Sequence, residues 1–244
     1  MSKCRWLRWA GGGIAGLCLL LFAVAPRPAR PAVPARPVRQ EEAGGLSGRV
    51  ILVDAGHGGD DGGARARDSG LWEKEINLLV AQALREELEE SGASVIMSRE
   101  GDMQYSAKKR EDLTARLDLA RQHGADMVVS IHMNEYRTRR ESGPQVFYRE
   151  GQENSRLLAG AIQAALIRTL HPVRERSAMA GDYFILSLDV PSVLVECGFL
   201  SNAAEEARLL TPDYRRQVAQ AIRDGIQEYF LLAPEHTPQA APAS

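Results

Sequence analysis

Four side chains in this 244-residue chain have the chemistry to hold and use a divalent metal: His57, Glu73, His132 and Glu196. His57 stands in DAGHGGDDGG, where glycines permit positive φ and close approach to an imidazole. No Lys-Ser/Thr follows these glycines and their spacing matches neither nucleotide fingerprint, which excludes a phosphate loop. Glu73 opens EKEINLL sixteen positions later, far enough along for the intervening loop to fold back over the same place. Taken alone, Glu73 or its neighbour Glu75 reads equally well as a carboxylate favoured by a helix dipole. His132 lies in SIHMN, straight after a run of strand residues, where an imidazole costs free energy unless it is satisfied. Two imidazoles and one carboxylate give Zn2+ three protein ligands and leave the fourth position open, the pattern of a catalytic rather than a structural site. Glu196, after VLV and before CGFLSN, is the candidate base, and its plainer alternative is an ion pair with a nearby arginine.

These residues need a scaffold that brings them together. Short apolar runs alternate with amphipathic segments, the pattern of a single α/β domain with a largely parallel twisted sheet flanked by helices. The spacing predicts strands over 49–54, 94–98, 127–131 and 193–195, with another at 145–148. It predicts helices over 73–91, 109–122, 152–170 and 212–232, the last begun by Thr211 as N-cap and Pro212 at the first helical position. Apolar stripes of Ile76, Leu79, Val80, Ala83, Leu84 and Leu88, and of Leu157, Leu158, Ala161, Ile162, Ala165 and Leu166, are expected to face the sheet. His57 then falls just past the first strand, His132 at the end of the third and Glu196 at the end of the last. This puts the metal site at the carboxyl ends of the strands, where such sheets bind ligands. Glu73, at a helix start, reaches the same edge. Asp54 is a candidate to accept the second imidazole proton of His57, or else to cap the turn. Asn134 is a candidate substrate contact or a turn former. Cys197 alternates to the opposite side of its strand from Glu196 and reads as a packed apolar residue.

Charge is unevenly spread. Residues 1–40 carry Lys3, Arg5, Arg8, Arg27, Arg30, Arg36 and Arg39 and no acidic residue, so with 30 basic and 32 acidic residues in all, the remainder is acidic. That argues against nucleic acid as a partner. The uncharged run from Trp9 to Ala25 after a basic start reads as a signal peptide or membrane anchor (1–25), which places the domain outside the cytoplasm, attached to the membrane or secreted. A Pro/Ala/Arg-rich linker (26–48), a catalytic domain (49–233) and a disordered tail (234–244) follow. Cys4 and Cys18 belong to the leader, so Cys197 has no partner for an internal disulfide in the domain.

In DAGHGGDDGGA, the Glu of EKEINL, SIHMN and VECGFLSN, the chain resembles the zinc-dependent N-acetylmuramoyl-L-alanine amidases of the type-3 family, with four blocks in order over roughly residues 49–230. The resemblance implies Zn2+ on His57, Glu73 and His132, and Glu196 as the catalytic carboxylate. It also implies peptidoglycan as the substrate, cut at the amide between N-acetylmuramic acid and the L-alanine of the stem peptide. Ala55, Met133 and Glu135 depart from the family pattern, the last two beside the expected groove. Arg99 and Arg116 match recurrent family arginines, either structural or substrate-orienting. The segment YSAKKREDLTARLDLAR is most similar to germination-specific spore cortex amidases, which implies muramic-δ-lactam formation, a helper lipoprotein as partner, and residence at the cell wall or in the spore intermembrane space. Two rivals stand beside this reading. A zinc peptidase of the carboxypeptidase type has its first His and Glu three residues apart, unlike the sixteen here, and a catalytically inactive wall-binding protein has no need of all four polar residues.

Overall fold

A computed structural model describes residues 45–232. The expected leader, most of the linker and the tail lie outside these residues. Within them the chain runs β1 (Val50–Ala55), α1 (Glu73–Glu90), β2 (Ser94–Met97), α2 (Lys109–Gln122), β3 (Met127–Asn134), β4 (Gln145–Tyr148), α3 (Glu153–Leu170) and β5 (Met179–Ala180). A 3-10 turn (Phe184–Leu186), β6 (Ser192–Phe199), α4 (Ala203–Leu209) and α5 (Pro212–Leu232) complete it. The strands form one sheet in the order β2-β1-β3-β6-β4-β5, parallel except where β4 meets β6. This is the α/β architecture that the alternating pattern predicts. No helix among the described residues is long and apolar enough to cross a membrane.

Side-chain alternation sorts the sheet into two unlike faces. Ile51, Val53 and Ala55 of β1, Val129 and Ile131 of β3, and Val193 and Val195 of β6 pack into the large core shared with α1, α3 and α5. Leu52, Val128 and Leu194 point the other way, into a smaller cluster with Leu117 and Ala120 of α2, Ala125, Phe147 of β4, and the 3-10 turn and its neighbours. Towards the carboxyl ends of the strands this thinly covered face continues as Asp54, Ser130, His132 and Glu196. A face with little helix over it leaves room for a cleft.

Several boundaries differ from expectation. Leu46 is fully buried and its N–H donates to the Ser91 carbonyl, so the packed domain begins inside the stretch assigned to the linker. β3 and β6 both run three or four residues past their expected ends, so His132 and Glu196 sit within paired strand rather than at its tip. Leu79 and Leu157 are 41% and 38% exposed, because each lies ~100° round its helix from the buried Val80 or Leu158. β5, the 3-10 turn and α4 are too short for periodicity to reveal. Asn202, whose side chain accepts from the N–H groups of Ala204 and Glu205, is the one local signal for α4. The N-cap expected of Thr211 is present, since its Oγ1 accepts from the Tyr214 N–H at 3.4 Å.

Asp54 and Arg116 form a buried ion pair, Nη1 to Oδ1 at 2.8 Å, with side chains 2% and 1% exposed. Burial alone would raise the Asp54 pKa, but Arg116 and the Ser130 hydroxyl outweigh it and hold it at about 2. Because the folded value lies below the ordinary 3.8, the pair's contribution is fully present above about pH 4 and is lost as pH falls through 2. Removing one partner strands the other charge. Arg116→Ala should therefore lower the unfolding free energy by about 3–5 kcal/mol in urea titrations at pH 7. In wild type, about 2 kcal/mol should disappear between pH 4 and 2, a component that Asp54→Asn should lack.

Candidate metal centre

His57 is placed by what holds the loop after β1. It takes φ +62°, a left-handed conformation that costs a non-glycine residue free energy unless its surroundings enforce it. Two buried arginines do so. Arg116 donates to the carbonyls of Ala55 and His57 and, through Nε, to Asp112. Arg99 donates to the carbonyls of Ala55, Gly56, Gly101 and Lys74, all within 2.7–3.1 Å. Every donor-bearing nitrogen of both side chains is therefore engaged with the protein. Arg99, expected as a possible substrate contact, is a positioning residue buried beneath the loop.

Asp54 also corrects an expectation. Its oxygens are taken by Arg116 and by the Ser130 hydroxyl at 2.6 Å, so it does not reach the second imidazole nitrogen of His57. Asp61 does: its Oδ1 lies 2.9 Å from Nδ1, off the line of a hydrogen bond. The sequence presents Asp60 and Asp61 side by side. Only the turn that bridges Gly58 to Asp61 turns one towards His57, while Asp60 faces Gln104.

Glu73 and Glu75 are separated by the start of α1. Glu75 turns back to accept the Trp72 N–H at 2.8 Å, which leaves Glu73 to point inward. Glu73 Oε1 lies 3.0 Å from His132 Nδ1 and accepts from the Met133 N–H and Asn77 Nδ2. Its Oε2 accepts from the Ala64 N–H and stands 3.3 Å from His57 Nε2. Burial opposes ionisation here, yet the two imidazoles hold the Glu73 carboxyl far below the ordinary range. Burial likewise pushes the His57 pKa down, and Glu73 and then Asp61 reverse it, for a net rise. Gly63, at φ +68°, gives Glu73 room: a Cβ there would lie 2.5 Å from Oε2.

His132 and Glu196 are cross-strand neighbours on β3 and β6, so they project from the same face. Directly after this pair the register shifts, with Asn134 opposite Phe199, as a bulge next to a site commonly does. Glu196 is half-buried with its Oε2 buried and without a partner, and its pKa is pushed up to about 7, mainly by desolvation of the carboxyl and against the pull of His132. The His57 and His132 rings stand 4.9 Å apart at 75°. One ligand atom each from His57, Glu73 and His132 lie within 4.8 Å of one another. This donor set suits zinc in charge and chemistry, and an unpaired carboxylate stands beside it. Cys197 is fully buried on the opposite, helix-covered face.

Residues 51–228 match the N-acetylmuramoyl-L-alanine amidase family, a span containing all four of these side chains. The chain belongs to this amidase family. It is 39% identical over 194 residues to the germination-specific N-acetylmuramoyl-L-alanine amidase of Bacillus subtilis, covering 76% of this chain and 81% of that protein. Among solved structures it is similar to the CwlD amidase of Clostridioides difficile in complex with the GerS lipoprotein. There the TM-score is 0.69 at 36% identity, covering 75% of this chain and 98% of the other. A second N-acetylmuramoyl-L-alanine amidase, from Clostridium difficile 630, gives a TM-score of 0.70 at 30% identity over 76% and 97% of the two chains.

Around the amidase site the cleft divides into two cavities that share His57 and His132. The larger, of about 480 Å3, is walled by Met133, Asn134, Tyr183 and Phe184 as well as Glu196, so Asn134 does reach the cleft. The smaller, of about 320 Å3, lies on the Asp60, Gln104 and Ser106 side. Sequence reasoning missed Asp61, which only the Gly58–Asp61 turn singles out from Asp60, and Tyr183 and Phe184, because the segment before β6 has no periodic pattern to place it. Gly56 gives a test of the packing, since a Cβ there would overlap the His132 ring. Gly56→Ala should displace that imidazole and weaken binding of a divalent metal by about tenfold or more in calorimetric titration. The fold should stay intact by circular dichroism, because Gly56 does not need positive φ.

Proposed function

We propose that this amidase works with zinc held by His57, Glu73 and His132, uses Glu196 as general base and acid, and acts on spore cortex peptidoglycan. The family's reaction is hydrolysis of the amide between N-acetylmuramic acid and the L-alanine of the stem peptide. The observation that carries the zinc reading is the meeting of three ligand atoms within 4.8 Å, with the partnerless Glu196 Oε2 in the same cleft. Family membership removes the carboxypeptidase alternative, and retention of all four side chains in one place speaks against an inactive wall-binding protein.

Zinc bound there supplies Lewis acidity, polarising the scissile carbonyl and making water more acidic. The protein does the rest. His57 Nε2 and His132 Nδ1 already face Glu73, and Asp61 on the far side of the His57 ring favours the tautomer that leaves Nε2 free. Glu196 takes the proton of the attacking water and hands it to the departing alanine nitrogen, which would otherwise leave as an anion. Its raised pKa suits a group that must hold a proton briefly near neutral pH, and a cation at the triad draws it back towards the ionised resting form. Arg99 and Arg116 hold the His57 loop so that none of this requires rearrangement.

The cortex assignment rests on the likeness to the germination-specific amidase, and the CwlD–GerS complex supports a helper lipoprotein as partner. The substrate lies outside the cytoplasm. The basic start and apolar run at 1–25 would export the domain or anchor it at the membrane, to act in the wall or the intermembrane space.

Mass spectrometry of a peptidoglycan digest should show free stem peptides with an L-alanine amino terminus, and chelation of zinc should stop their release. Products cut in the glycan or within the peptide, with the muramoyl amide intact, would contradict the assignment. Glu196→Gln should keep one zinc per chain and lose about 10²–10⁴-fold in kcat. His57→Ala should lose the zinc. Equal metal loss in both variants would remove Glu196 from the role of base.

A further inference from the structure

The cleft is acidic, and its substrate carries carboxylates. Glu73, Glu196, Glu135 and Asp182 line the larger cavity, and Asp60 and Asp61 the smaller. An anionic stem peptide approaching these walls meets repulsion unless a cation answers it. The cations around the cleft are nearly all engaged. Arg116 is buried and hydrogen-bonded, and Lys74 donates to the Gly59 carbonyl and Asp102. Lys108 pairs with Glu111, Arg110 lies over the Phe184 ring, and Arg67 pairs with Glu135.

Lys109 is different. It is the first residue of α2 and lines both cavities, on the wall they share next to His57. Its side chain is 73% exposed, and among the described residues its ammonium is paired with Asp61 Oδ2 alone, at 3.8 Å, beyond hydrogen-bond reach. Asp61 in turn touches the His57 ring at 2.9 Å. The ammonium is thus one carboxylate away from the triad, through Asp61 to His57.

The second residue of a peptidoglycan stem is a glutamate joined to the next residue through its side-chain carboxyl. Its α-carboxylate is therefore free, or amidated in some walls, and lies within about 7 Å of extended chain from the scissile amide. We propose that Lys109 recognises this α-carboxylate and so sets the preference of the cleft for stems whose second residue is not amidated. The inference rests on the amidase reading above and adds a specificity residue to it.

The test uses the zinc-loaded protein and two muramoyl-peptides that differ only in a carboxylate or a carboxamide at that position. Wild type should favour the carboxylate by about tenfold in kcat/KM, with the difference in KM. Lys109→Met should bring the ratio near one, Lys109→Arg should restore it, and Lys109→Glu should favour the carboxamide. Zinc content and melting temperature should be the same in all four proteins. A wild-type ratio near one, or an unchanged ratio in Lys109→Met, overturns the proposal and leaves the amidase reading standing, since both substrates are still cut at the muramoyl amide. Failure of wild type to cut either substrate at that bond would instead remove the amidase reading, and this inference with it.

Discussion

Two guanidinium groups buried under one loop constrain the rest of this molecule. Desolvating Arg99 and Arg116 carries a penalty of several kcal/mol each unless every N–H finds an acceptor, so the surroundings are arranged to supply acceptors. Asp54 and Asp112 supply carboxylates, and the consecutive carbonyls of Ala55, Gly56 and His57 supply the remainder at the site. Those carbonyls belong to the stretch that must hold an imidazole in a left-handed conformation. Satisfying the arginines and straining His57 are thus the same set of hydrogen bonds.

The uneven covering of the sheet has a related consequence. Three helices close one face into a continuous apolar core, while a single long helix and a 3-10 turn cover part of the other. Polar residues that alternate onto the second face of β1, β3 and β6 can meet without breaking the core. Asp54, Ser130, His132 and Glu196 do so at successive depths, from the buried ion pair outward to the cleft. Cys197, one residue from Glu196, lands on the closed face.

Electrostatics then divides two glutamates of one cleft into different states. Glu73 lies between two imidazoles and accepts from three N–H donors, which keeps it ionised despite burial. Glu196 has a buried, unpartnered oxygen and a neighbouring carboxylate, which together with desolvation raise its pKa to about 7. A fixed anion and an adjacent group that exchanges a proton near neutrality are the two components that metal-assisted hydrolysis requires of carboxylates.

The sequence by itself determined the α/β class, the order of the long elements and the four polar residues of the site. Hydrophobic period and residue type are local properties, and they survive without knowledge of packing. Choices between near-equivalent neighbours were decided by tertiary structure. Glu73 rather than Glu75 faces the imidazoles because the helix start gives Glu75 a backbone N–H to accept. Asp61 rather than Asp54 stands by His57 because Arg116, 62 residues along the chain from Asp54, claims the latter. The extent of β3 and β6, the fold position of Leu46 and the aromatic wall at Tyr183 and Phe184 likewise depend on partners distant in sequence. Which of several eligible groups a side chain meets is fixed by competition among contacts, and those competitors are brought together only when the chain folds.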